Sequence, residues 1–256
     1  SSMNSRKKPE PFLLKPDGKD YLWGGNRLND DFSKEIDLQP LAETWECSTH
    51  PAGLSTIASG PFAGRTLREV LRSHPEYLGS HPQTKDGELP VLIKFIDAKR
   101  NLSVQVHPSD EYAMQYENGQ SGKSEMWYVL DAAEGAELVY GLNRPIDKAT
   151  LRKSLENGSV ERYLRRVRIH KDDVFYIQAG TVHAIGAGAL IAEIQESSDL
   201  TYRMYDYGRL DKNGQPRALH IDRALDVARL NADETPRQPM RVLRYTPGCA
   251  SELLCR

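Results

Sequence analysis

Between residues 90 and 206 the chain reads as one short strand after another, and this run limits the possible folds more than any other feature. Pro90-Val91-Leu92-Ile93-Lys94-Phe95-Ile96-Asp97 is an apolar stretch of buried-strand length. The segment Leu102-Ser103-Val104-Gln105-Val106-His107-Pro108 also reads as an extended strand. Further strands are expected at 126–131, 136–141, 164–170, 173–178, 181–185, 188–196 and 200–206, with Gly and Pro scattered as turn punctuation. Helical signals lie at the sides. Thr66-Leu67-Arg68-Glu69 has the capping-box pattern and opens a helix to about His74. Ser109 can cap a helix from Asp110 to about Glu117, and Asp147 one across 148–155 that ends at Gly158. Residues 218–229 read as a last helix. Strands and helices do not alternate as in a βαβ fold, and no Gly-rich phosphate loop is present. The pattern predicts a mainly β chain, a sandwich or jelly roll with a few flanking helices.

The chain has 256 residues, enough for one large β domain or two smaller ones. Residues 1–89 read as a Gly/Pro-rich β and irregular region with a short helix, packing onto the sandwich. Residues 90–229 form the sandwich itself. Residues 230–256 read as the start of a C-terminal β region that the chain does not complete, with a strand candidate at Met240–Tyr245. The net charge of −2 offers no bulk attraction for nucleic acid or an anionic membrane. No apolar run approaches the roughly 18–20 residues that span a bilayer. The charged start Arg6-Lys7-Lys8 has no apolar stretch behind it, which argues against a signal peptide. Three cysteines, Cys47, Cys249 and Cys255, are too few and too scattered for a disulfide framework. A cytoplasmic location is expected.

In an extended strand Gln105 and His107 share a face, which makes them half of a metal site. The turn Gln178-Ala179-Gly180 returns the chain at once and places His183 at the start of the next strand, where it can face His107. Glu125 enters a β core beside Met126-Trp127-Tyr128, so its carboxylate must be coordinated or paired, with Lys123 as the nearest partner. Two imidazoles, a carboxylate and an amide oxygen suit Zn2+ and leave a position open for water or substrate. Lys94 interrupts an apolar strand and requires an anionic partner. Glu193 and Glu196 lie on opposite faces of one strand, so one of them faces the interior. Arg203 and Arg209, on an aromatic-rich stretch, either hold a phosphate or carboxylate or form a surface ladder with Asp199 and Asp206.

Four motifs in order, Leu102–Pro108, Lys123-Ser124-Glu125-Met126, Ala179–Ala184 and Ser198–Arg203, resemble type I mannose-6-phosphate isomerase in its short bacterial form. Trp23-Gly24-Gly25 and Ala42-Glu43-Thr44-Trp45-Glu46 fit as well. The resemblance implies a cupin-type jelly roll, one zinc ion per chain, and interconversion of mannose 6-phosphate and fructose 6-phosphate through an enediolate. It implies Gln105, His107, Glu125 and His183 as zinc ligands and Arg203 as the active-site arginine. Lys94 and Glu193, or a zinc-bound water, are the proton-shuttle candidates. By motif offset Ser103, Lys123, Asp199 and Arg209 line the substrate and phosphate pocket. One departure is Gln178, where cupins commonly have proline; it should alter turn stiffness more than ligation. The partner expected is a small phosphosugar, and the chain a monomer or homodimer. The alternatives are a cupin isomerase of another phosphosugar, a sugar-binding cupin without turnover, and, third, a metal-dependent oxygenase.

Overall fold

The structure, a computed structural model, describes residues 10–79 and 86–232 together with the strand Arg237–Gln238. Two antiparallel sheets face each other. In the larger sheet seven strands run in the order Arg237–Gln238, Val174–Ile177, Glu125–Ala132, Ala189–Glu196, Val91–Asp97, Glu43–Cys47 and Asp17–Lys19. The smaller sheet has five: Tyr202–Tyr205, Val104–Val106, His183–Ile185, Glu137–Leu142 and Leu164–Arg168. The jelly-roll expectation holds. Two early strands, Asp17–Lys19 and Glu43–Cys47, extend the larger sheet directly. The sequence reading left this stretch mostly irregular, because each strand is too short to show periodicity.

Strand alternation decides what each face of the smaller sheet meets. Leu138, Tyr140 and Ile185 point to the larger sheet and pack with Trp127, Val129, Phe175, Ile177 and Ile191. Their neighbours Val104, Val106, Val139, Ala184 and Met204 point the other way. There they meet Leu151 and Leu155 of the helix Lys148–Asn157 and Ala224 and Leu225 of the helix Ile221–Val227. The helix Arg27–Phe32 brings Leu28 against the outer face of the larger sheet, near Leu190 and Phe95. The pocket forms in the gap between the two inner faces.

The helix caps are as the sequence suggests. Thr66 accepts the Glu69 N–H at 3.1 Å, Ser109 the Tyr112 N–H at 3.2 Å and Asp147 the Thr150 N–H at 2.7 Å. The last helix is shorter than 218–229. Its forerunner is strapped to the neighbouring strand, where the Ala218 carbonyl accepts from Arg203 Nη1 and the His220 N–H donates to the Arg203 carbonyl. Helical geometry therefore begins at Ile221. Met240–Tyr245 lies outside the described residues. Burial pushes the Cys47 thiol up to about 11, so it stays protonated. Among the described residues no helix is long and apolar enough to cross a membrane.

Candidate metal centre

Register alone assembles the centre. In the smaller sheet Gln105 pairs with His183 on one side and Arg203 on the other. Three adjacent strands thus set Arg203, Gln105 and His183 in one row. In the larger sheet Glu193 pairs with Trp127 and with Lys94, and Lys94 pairs with Trp45. Directly opposed residues share a face, so the two rows line a cavity of about 310 Å3 between the sheets. Glu125 stands two residues before Trp127, on the same face, and also lines it.

His107, Glu125 and His183 converge with their ligand atoms within 4.8 Å of one another, all buried. His183 Nδ1 lies 2.8 Å from the Thr181 carbonyl, which can only accept. The ring proton is therefore on Nδ1, and Nε2 offers a lone pair 3.9 Å from Glu125 Oε2. His107 Nε2 is 3.0 Å from Glu125 Oε1, yet neither ring nitrogen has a hydrogen bond of acceptable geometry. Burial, helped by the Lys123 charge, pushes His107 down to about 3, and burial lowers His183 as well. Both imidazoles are neutral. Burial alone would raise Glu125, but His107 and Lys123 outweigh it and hold the carboxyl well below its ordinary range. A carboxylate stands against two neutral imidazoles in a buried site. That donor set fits a divalent cation.

The Gln105 amide nitrogen faces the Ser103 carbonyl at 3.2 Å, which only accepts, so the amide oxygen is the end left for other partners. Lys123 is 6% exposed and lies 3.4 Å from Glu125 Oε1. The nearby carboxylates of Glu125, Glu193 and Glu43 outweigh burial and raise its pKa. Lys94 sits 3.7 Å from Glu43 and over the Trp45 ring at 4.2 Å; burial lowers its pKa. Glu193 is pushed up to about 8 by burial and by Glu125. Glu196 points away from the cavity and accepts the Ser124 N–H at 2.9 Å. Ser103, Asp199 and Arg203 all line the cavity. Arg209 does not. Its Nη2 donates to Asp206 Oδ1 at 2.7 Å and its Nη1 to the Asn101 carbonyl.

Residues 12–142 match the family model for the catalytic domain of type I phosphomannose isomerase. A Bacillus subtilis relative, described as a probable mannose-6-phosphate isomerase and named GmuF, is 44% identical over 218 residues, covering 85% of this chain and 68% of its own. The chain belongs to the type I phosphomannose isomerase family. The crystal structure of the mannose 6-phosphate isomerase from Bacillus subtilis superposes with a TM-score of 0.83 at 40% identity, covering 89% of this chain and 71% of that one. A mannose 6-phosphate isomerase structure bound with zinc and yttrium shares the fold at a TM-score of 0.63 and 18% identity, over 87% of this chain and 75% of the other.

Trp127, Glu43, Trp45 and Arg217 are among the lining residues of this phosphomannose isomerase pocket that escaped the sequence reading as site residues. Trp127 is 1% exposed, and its indole N–H reaches both Glu125 Oε2 at 2.9 Å and Glu193 Oε2 at 3.1 Å. Glu43 accepts the Trp45 indole N–H at 3.0 Å and is the anion beside Lys94. The spacing Glu43-x-Trp45 was a usable signal, since alternate residues of a strand share a face. Arg217, the fourth, lies in a loop with no periodicity, and nothing in the sequence marked it.

Proposed function

We propose that the chain interconverts mannose 6-phosphate and fructose 6-phosphate as a zinc enzyme, with Gln105, His107, Glu125 and His183 as ligands. The observation that carries this reading is the buried convergence of one carboxylate and two neutral imidazoles, their ligand atoms within 4.8 Å of one another. The zinc named for one fold relative supports the choice of metal. Bound zinc would supply positive charge where the C1 and C2 oxygens become negative. The remaining chemistry falls to the side chains. Lys94 and Glu193, opposed in register, carry the proton between C1 and C2. Burial pushes the amine down and the carboxyl up to about 8, so both exchange protons nearer neutrality than usual. Arg203 stays charged and stabilises anionic oxygen rather than accepting a proton. Lys123, held at Glu125, balances charge at the metal end, while Ser103 and Asp199 are placed to bind sugar hydroxyls. Sparse cysteines and a phosphosugar substrate fit a cytoplasmic enzyme.

Metal removal tests the reading. The chelator-stripped chain should be inactive and regain turnover with one zinc per chain, measured by elemental analysis and a coupled assay. His107→Ala and His183→Ala should lose both zinc and activity. Full turnover in metal-free protein would overturn the zinc assignment.

A further inference from the structure

One lip of the pocket carries more positive charge than its neighbours neutralise. Arg203, Arg209 and Arg217 gather around a single carboxylate, Asp206, which is 6% exposed. Arg217 grips it with two nitrogens, Nε to Oδ2 at 2.9 Å and Nη2 to Oδ1 at 2.7 Å. Arg209 shares the same Oδ1 and is closed off by the Asn101 carbonyl. Arg203 donates through Nη1 to the Ala218 carbonyl at 3.0 Å, and its Nε is buried with no hydrogen-bond partner among the described residues. Three guanidiniums against one carboxylate leave two positive charges in excess.

That excess has a direction. Arg209 stacks over Tyr207 at 5.1 Å, outside the pocket lining. Arg203 and Arg217 both line the cavity, and among the described residues Arg217 donates only through Nε and Nη2, leaving Nη1 over. A guanidinium fixed on two nitrogens by a buried carboxylate, with its third nitrogen free, is pre-organised for an anion. At the other end of the cavity Glu125, Glu193 and Glu43 are interleaved with Lys94 and Lys123, so the cations there already have carboxylate partners. Asp199 also lines the cavity, and counting it still leaves an excess of one positive charge. Arg203 stands two strand spacings from His183, about 10 Å along the row. That span suits a hexose with its carbonyl end at the metal and its phosphate at the arginines.

We propose that Arg217, oriented by Asp206, binds the 6-phosphate of the substrate beside Arg203, while Arg209 braces Asp206 from behind. The inference rests on the isomerase reading for its substrate, but its test does not need turnover. Inorganic phosphate is titrated into the zinc-loaded protein by calorimetry, and KM for mannose 6-phosphate is measured in parallel. Arg217→Ala should weaken phosphate binding and raise KM about ten- to a hundredfold, with zinc content and melting temperature close to those of the unsubstituted chain. Arg217→Lys should recover part of the loss, since it restores charge without the fork. Asp206→Asn should weaken phosphate in the same sense by releasing the guanidinium. Phosphate affinity and KM within about twofold of the unsubstituted chain in Arg217→Ala would overturn the proposal. So would losses that track zinc content or unfolding, which would make Arg217 structural. Absent turnover with intact phosphate binding would instead count against the isomerase reading alone.

Discussion

At the scale of single residues, Trp127 explains how two carboxylates can stand so close together at the candidate metal centre. Its indole N–H is shared between Glu125 Oε2 and Glu193 Oε2, at 2.9 and 3.1 Å. A shared donor fixes the Glu125 carboxylate plane and turns Oε1 toward His107. Groups that orient a metal ligand from behind are worth about ten- to a hundredfold in metal affinity. Trp127→Phe keeps most of the ring volume and deletes only the donor. Zinc affinity, read by competition with a chromogenic chelator, should fall by about that factor, while the variant stays folded. An unchanged affinity would mean that packing in the strand alone orients Glu125. The same residue shows what was hidden in the sequence. Met126-Trp127-Tyr128 marks a buried strand plainly, but nothing local says that the indole nitrogen meets a carboxylate from residue 193.

At the scale of elements, alternation along a strand was legible and pairing between strands was not. Gln105 and His107 could be placed on one face from their spacing, and His183 from the tight turn before it. The rows Arg203–Gln105–His183 and Trp127–Glu193–Lys94–Trp45 depend on register, which is set by partners far away in sequence. Arg209 shows the cost of arguing from one element. It lies on the same aromatic-rich stretch as Arg203, but the chain leaves the strand at Tyr205 and carries Arg209 onto Asp206. The turn at Gly180 shows the opposite case. Gly180 has φ +90°, donates its N–H to the His107 carbonyl at 2.9 Å and accepts the Arg229 N–H at 2.8 Å. Gln178, standing where proline is usual, accepts from Arg229 Nη1 at 2.8 Å, so the turn is held by a side chain instead of a ring. An added Cβ at 180 would meet the Val227 carbonyl at 3.0 Å in a left-handed conformation. Gly180→Ala should cost about 1–2 kcal/mol in urea denaturation, and a stability equal to the unsubstituted chain would show that the turn relaxes freely.

At the scale of the whole molecule, folding brings buried ionisable groups from both sheets into one gap, and pH dependence becomes a property of the fold. On the acid side, His107, pushed to about 3, and His183 stay neutral in the folded chain. Unfolded imidazoles take up protons below about 6.5, so these residues withdraw stability as pH falls. Glu125, held low, acts in the same direction below its ordinary value. Glu193 acts in the opposite direction. Its carboxyl keeps a proton up to about 8, whereas the unfolded chain releases it near 4.5. Its contribution is fully present below 4.5 and is lost as pH rises through about 8. Lys94, lowered by burial, partly offsets that loss, because the unfolded amine still binds a proton where the folded one has shed it. The Glu193 part can be isolated with Glu193→Gln, whose amide oxygen still accepts from Trp127 but does not titrate. In metal-free protein, the stability of the unsubstituted chain minus that of the variant, from urea denaturation at several pH values between 5 and 8.5, should shrink steadily as pH rises. A difference that stays flat over this range would mean that Glu193 is ionised throughout, and would remove it as a proton carrier poised near neutrality.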